Sequence, residues 1–192
     1  MDDSANLNTP VLVQKIWEET CDAGFTMASE PLTGALLRVL ATSRPGGRLL
    51  ELGSGTGLAT AWLLDGMDAT STLVTVDNDE AALAILRSNL GNDNRLQIVC
   101  ADGDAFIREL KNETFDLIFA DTWPGKYRLL DSTLSLVKRG GWYVVDDMLP
   151  RQNWPEGHAA KASALIAALE QRDDFRITKM SWASGVIAAA RI

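Results

Sequence analysis

Leu49-Leu50-Glu51-Leu52-Gly53-Ser54-Gly55-Thr56-Gly57 is the stretch whose reading decides the fold. An apolar run carrying one acidic residue leads into glycines at alternate positions, and a helical pattern from Leu58 to Met67 follows at once. Strand, tight glycine turn and helix in that order bring a backbone close to a nucleotide-like ligand, because glycine accepts the turn's dihedrals and leaves no Cβ in the way. The spacing narrows the ligand. A dinucleotide fingerprint places its third glycine three residues after the second, whereas Gly57 follows Gly55 by two and Leu58 holds the expected position. That opposes a dinucleotide-dependent dehydrogenase.

Outward from this turn, strand and helix alternate. Strands are expected at Arg48–Leu52, Leu73–Val76, Leu96–Cys100, Phe115–Ala120 and Gly141–Val145, with helices at Thr56–Met67, Asp79–Leu90, Gly103–Leu110 and Tyr127–Val137. Continuous apolar strands such as Asp116-Leu117-Ile118-Phe119-Ala120 imply burial on both faces, hence a mainly parallel sheet covered by helices. A Pro- and Trp-containing loop, Met148 to Gly157, precedes a periodic helix from His158 to Gln171. Phe175–Met180 and Gly185–Ala190 close the chain as a plausible antiparallel pair. Before the core, Val11–Cys21 and Leu32–Ala41 read as helices, with Pro31 suited to a first turn. The expectation is a single domain over residues 1–192, with a helical extension at 1–45 and a cofactor-binding core at 46–192.

Composition sets the outer bounds. With 46% hydrophobic and 23% charged residues among 192, the chain suits one well-buried α/β domain. No apolar run approaches the ~18 residues of a membrane span. The start Met1-Asp2-Asp3-Ser4-Ala5-Asn6 is acidic and polar, unlike a signal peptide, which points to the cytoplasm. Cys21 and Cys100 read as two reduced, buried thiols. A net charge of −8 without a local Lys/Arg cluster disfavours a nucleic-acid substrate. No pattern distinguishes a monomer from a homodimer.

In an open parallel sheet, ligands bind beyond the carboxyl ends of the strands, where the topology reverses. Each expected strand end here carries an acid: Glu51, Asp77, Asp102, Asp121 and the pair Asp146-Asp147. Asp77, after Leu73-Val74-Thr75-Val76, can accept both hydroxyls of a ribose, and Asp102 can accept from an adenine amino group. Aspartate favours turns on its own account, but five acidic strand ends in succession beside a glycine turn describe a ligand site.

Glu51-Leu-Gly-Ser-Gly-Thr-Gly, Asp77, Ala101-Asp102-Gly103 and Phe115-Asp116-Leu117-Ile118-Phe119-Ala120-Asp121 together resemble the successive motifs of the class I methyltransferases that use S-adenosylmethionine. The resemblance runs from about Gly24 onward. It implies a Rossmann-like, seven-stranded, mainly parallel α/β sheet with helices on both faces and a reversed last strand. It also implies that Gly53 and Gly55 lie beside the methionine part, Asp77 at the ribose and Asp102 at the adenine, with Glu51, Ser54, Asn78, Gly103 and Asp121 among the cofactor-binding residues.

Asp121-Thr-Trp-Pro-Gly-Lys-Tyr, followed by Asp146-Asp147, is similar to the catechol O-methyltransferase branch, where an Asp and an Asp-Asn pair hold magnesium. That likeness makes Asp121, Asp146 and Asp147 metal candidates; their hard oxygens suit Mg²⁺. Phe25-Thr26-Met27-Ala28-Ser29-Glu30-Pro31 looks like the branch's segment that closes over the cofactor, which adds Met27 and Ser29, while Trp123 matches an aromatic near the adenine. Two positions depart. The branch's catalytic lysine falls at Pro124, with Lys126 nearest, and Asp147 replaces the Asn. Asp146 and Lys126 are the candidate bases. His158, the only histidine, reads by preference as a helix-start residue, and otherwise as a base near the substrate. Trp123, Trp154 and Trp182 are candidates for a pocket wall, and Trp17, Trp62 and Trp142 for the core.

Two other readings stay open. Ala101–Phe106 followed by Ala120–Pro124 also resembles the aminopropyltransferases that use decarboxylated S-adenosylmethionine, although that family carries a β-rich N-terminal domain. A non-catalytic module that keeps the cofactor pocket is the other. The reading carried forward is methyl transfer to a small molecule at a hydroxyl oxygen, with the acceptor chosen by the segments Met1–Gly24 and Met148–His158.

Overall fold

The computed structural model describes residues 2–5, 7–110, 113–151 and 154–192. Met1, Asn6, Gln152 and Asn153, which belong to the segments expected to choose the acceptor, lie outside the described residues. Two helices open the chain, α1 (Val11–Asp22) and α2 (Pro31–Thr42). Then come β1 (Arg48–Leu52), α3 (Leu58–Gly66), β2 (Thr72–Asp77), α4 (Glu80–Leu90), β3 (Leu96–Cys100), α5 (Gly103–Glu109) and β4 (Phe115–Ala120). The chain ends with α6 (Leu130–Ser135), β5 (Val137–Val145), α7 (His158–Glu170), β6 (Phe175–Met180) and β7 (Val186–Arg191).

The sheet has seven strands in the order β3-β2-β1-β4-β5-β7-β6. Pairing is parallel from β3 through β5, and β7 runs antiparallel between β5 and β6. The last strand is thus the reversed one, as the sequence led us to expect. The chain winds outward from β1 to β3, then returns past β1 to lay down β4. The topological switch point therefore falls between the carboxyl ends of β1 and β4, where loops leave in opposite directions and open a crevice.

Alternation along the strands builds two cores. Leu49, Leu73, Leu117, Phe119 and Val144 face one side with residues of α1 to α4, whereas Leu50, Leu52, Val74, Ile118 and Tyr143 face the other with residues of α5, α6 and α7. Helix α3 is buried all round except at Asp65, because α2 packs over its outer side. That packing is close. A Cβ at Gly34 would run into the indole of Trp62, so this helix pair needs glycine there.

Three expectations are corrected. The helix expected at Tyr127–Val137 shrinks to Leu130–Ser135, because the chain first closes a tight loop in which Lys126, Tyr127 and Arg128 donate back to the Trp123 carbonyl and Gly125 donates to the Arg128 carbonyl, ending at Leu129 with φ 55°. Strand β5 begins at Val137 rather than Gly141, and its register against β4 shifts between Phe115 and Leu117 to absorb the glycines. Cys21 and Cys100 are both free and exposed rather than buried, since β3 is an edge strand with only partial cover and Cys21 sits on the outer face of α1. No helix among the described residues is long and apolar enough to cross a membrane.

Candidate functional site

The glycine turn builds the first part of the crevice. Gly53 has φ 92°, and a Cβ there would stand 2.9 Å from the Thr122 Cβ and 3.0 Å from the Asp121 carbonyl oxygen, so only glycine lets the end of β1 lie against the end of β4. The Gly55 N–H donates to Asp77 Oδ2 at 2.8 Å, and the Asp79 N–H donates to Asp77 Oδ1 at 2.9 Å, which fixes that carboxylate at the mouth. Met27, Ser29, Gly53, Ser54, Gly55, Asp77, Asn78 and Asp121 all line one cavity of about 230 Å³. An adjoining cavity, also about 230 Å³, shares Gly53, Asp77 and Asn78 with it and adds Asp102, Gly103 and Trp123. Asp102 caps α5 by accepting from the Ala105 N–H at 2.9 Å, and so is held in place.

Glu51 takes a different position. It is fully buried, and one carboxylate oxygen accepts from the hydroxyls of Thr60 and Thr75, each at 2.6 Å. Its other oxygen has no partner among the described residues. Burial pushes its pKa up to about 7 against the two hydrogen bonds, with the Asp77 charge adding to the rise. Glu51 thus lies beneath the turn rather than in the walls of these cavities.

A larger cavity of about 430 Å³ opens on the other side of Ser29, Asp121 and Thr122. Asp121, Asp146 and Asp147 meet in its floor, each offering an oxygen within 4.8 Å of the others. The strand ends account for the placement: β4 delivers Asp121, β5 delivers the pair, and Asp147 adopts φ 53°, a left-handed conformation that Asp and Asn tolerate best. Ser29 Oγ donates to Asp121 Oδ2 at 2.8 Å. Lys126 is 4% exposed, and its ammonium donates to the carbonyl oxygen of Asp146 at 2.6 Å. Asp146 Oδ1 is buried without a partner among the described residues.

Burial raises the pKa of Asp121 to about 6, and it raises Asp146 well above the carboxylate range, where the Asp121 charge adds to the effect. Three close oxygens from acids, one buried and unpartnered, form a donor set that fits a hard divalent cation such as Mg²⁺. The Lys126 charge does not preclude this, because its short hydrogen bond goes to a carbonyl.

Opposite the acids stands an aromatic wall that the sequence resolved only in part. Trp123 and Trp154 line the cavity as expected, whereas Trp182 turns inward and donates its indole N–H to the Leu32 carbonyl at 2.8 Å. Trp62 is core, as expected, and Trp17 is about half exposed on α1. His158 both starts α7 and faces the cavity. Its Nε2 lies 3.0 Å from the Tyr127 hydroxyl, and its ring packs on Trp154 with centroids 4.3 Å apart. Burial, and then the Lys126 charge, lower its pKa and favour neutral imidazole. Sequence reasoning overlooked Phe25, Thr122, Tyr127 and Arg151 as wall residues. Tyr127 closes the quoted Asp121–Tyr127 segment and was findable; Arg151, which pairs with Glu30 across the cavity mouth, carries no sequence signal.

Comparison with known proteins follows the same lines. Residues 50–148 match the family model described as a methyltransferase domain. A protein of Mycobacterium sp. (strain JLS), provisionally named an O-methyltransferase, is 27% identical over 199 residues, which cover 97% of this chain and 89% of that protein. Among solved structures, the O-methyltransferase TomG of Streptomyces achromogenes, involved in tomaymycin synthesis and bound to S-adenosylmethionine, has a TM-score of 0.84 at 20% identity, covering 98% of this chain and 93% of its own. An O-methyltransferase of Bacillus cereus in complex with S-adenosylhomocysteine has a TM-score of 0.80 at 18% identity, covering 95% and 91%. At such identities these two structures speak for the fold.

Proposed function

This chain belongs to the methyltransferase-domain family, and we propose that it transfers the methyl group of S-adenosylmethionine to a hydroxyl oxygen of a small-molecule acceptor. One observation carries the proposal: Ser29, Asp121 and Thr122 are common walls of the turn-side cavity and the acid-floored cavity, so a donor in one lies directly beside an acceptor in the other. The sulfonium methyl is already activated, which leaves the protein chiefly the tasks of holding an oxygen in line behind it and excluding water.

The residues divide this work. Asp77 and Asn78 would orient the ribose, Asp102, Gly103 and Trp123 the adenine, and Gly53 to Gly55 the methionine portion. Met27 and Ser29 would close the donor side, with Ser29 tethered to Asp121. Asp121, Asp146 and Asp147 would hold Mg²⁺, which when bound lowers the pKa of an acceptor hydroxyl. In this arrangement Lys126 keeps the β5 end in position through the Asp146 carbonyl, and Asp146, in its ionised form, is the group assigned to receive the acceptor proton. The trench between the acids and the Trp154–His158 wall suits a flat acceptor.

Labelled methyl transfer from S-adenosylmethionine to an ortho-diphenol panel tests the reading. The double substitution Asp146→Ala with Asp147→Ala is expected to lower turnover at least a hundredfold while leaving S-adenosylhomocysteine binding within a fewfold. Undiminished turnover in that variant would remove the metal from the account. Cofactor binding with no transfer to any acceptor would favour a non-catalytic module.

A further inference from the structure

Arg128 lies in the wall of the cavity that holds Asp102, Gly103 and Trp123, and nothing in the methyl-transfer account uses it. Its backbone is fixed without help from its side chain: the Arg128 N–H donates to the Trp123 carbonyl at 3.0 Å, and its carbonyl accepts from Gly125 at 2.7 Å. Its Nε donates to Asp104 Oδ2 at 2.7 Å. Asp104 sits in the first turn of α5, two residues after Asp102, so one helical turn holds both the guanidinium and the cavity's carboxylate.

Asp102 spends Oδ1 on capping that helix, and its other oxygen has no hydrogen-bond partner among the described residues. Arg128 spends Nε, and its Nη groups likewise have none. The cavity therefore presents an acceptor and a charged donor from neighbouring positions, beside a Trp123 ring that is 40% exposed. The outer edge of adenine is the complement of such a pair, with a 6-amino donor next to the N7 acceptor.

We propose that Arg128 is a specificity-determining residue for the nucleoside, donating from its guanidinium to adenine N7 while Asp102 accepts from the 6-amino group. This rests on the S-adenosylmethionine reading above. The pairing selects adenine over hypoxanthine, whose 6-oxo group would set an acceptor against Asp102. It also gives the Arg128–Asp104 pair a purpose beyond the small stability of a half-exposed ion pair.

Calorimetry with S-adenosylhomocysteine and its 7-deaza analogue, on the whole chain and on Arg128→Ala and Arg128→Met, tests it. The unaltered protein should bind the 7-deaza analogue about tenfold more weakly than S-adenosylhomocysteine. Each variant should bind S-adenosylhomocysteine about tenfold more weakly than the unaltered protein does, and show no further loss with the analogue. Because each ratio is taken within one protein, a general loss of fold lowers both ligands alike and does not imitate the result. A ratio near one in the unaltered protein, or the same tenfold ratio in the variants, overturns the role of Arg128. Failure of the unaltered protein to bind S-adenosylhomocysteine at all would instead sink the cofactor reading itself.

Discussion

Glu51 is the residue on which local chemistry and stability meet most directly. Its carboxyl is driven up to about 7 by burial from an ordinary value of 4.5, so the folded protein binds that proton more tightly than the unfolded chain. The stability it contributes is fully present below about pH 4.5 and is lost as pH rises through 7, amounting to roughly 3 kcal/mol. Glu51→Gln keeps the shape and cannot ionise, so its urea midpoint should fall less than that of the unaltered protein between pH 4.5 and 8. Parallel pH profiles would show that Glu51 is ionised in its site. The residue also marks what sequence can reveal. An acid at the end of an apolar run is visible in Leu49–Gly53, but the hydroxyls of Thr60 and Thr75 that receive it come from other elements, so its inward turn was not. Asp77, Asp102 and Asp121 were better read, because a residue just beyond a strand's carboxyl end has little choice but to face the crevice. His158 shows the converse: position at a helix start was legible, whereas contact with Tyr127 across 31 residues was not.

At the scale of elements, the strand–turn–helix unit is the device that brings β1 and β4 together. Gly53→Ala would force φ 92° on alanine and press its methyl against Thr122 and the Asp121 carbonyl. We expect a loss of about 1–3 kcal/mol in unfolding free energy, with S-adenosylhomocysteine affinity falling at least tenfold as the β4 end is displaced. Gly57→Ala, at φ 97° and facing Leu86, should cost comparable stability and spare more of the affinity, since Gly57 lines neither donor-side cavity. Denaturant unfolding and calorimetry on both variants check the contrast, and equal losses of affinity would contradict it. Strands β1, β3, β4 and β6 were legible to the residue, because each is a short apolar or alternating run between turn signals. The segment Tyr127–Val137 misled because its apolar spacing suits a helix, while Gly125 and the left-handed Leu129 impose a loop that depends on bonds back to Trp123.

For the molecule as a whole, the winding order explains why acids scattered from Asp77 to Asp147 converge: five parallel strands end on one edge, and the reversal between β1 and β4 opens the gap between them. Sequence exposed that convergence through the fold class. At the floor, burial raises Asp121 to about 6 and Asp146 well above the carboxylate range, so a cation held there would compete with protons for these oxygens. Calorimetry of S-adenosylhomocysteine, then of Mg²⁺ into the complex, tests the central claim most directly. The account predicts binding of S-adenosylhomocysteine and not of NAD, followed by a Mg²⁺ event whose affinity weakens as pH falls below about 6. Binding of NAD, or none of S-adenosylhomocysteine, would contradict it.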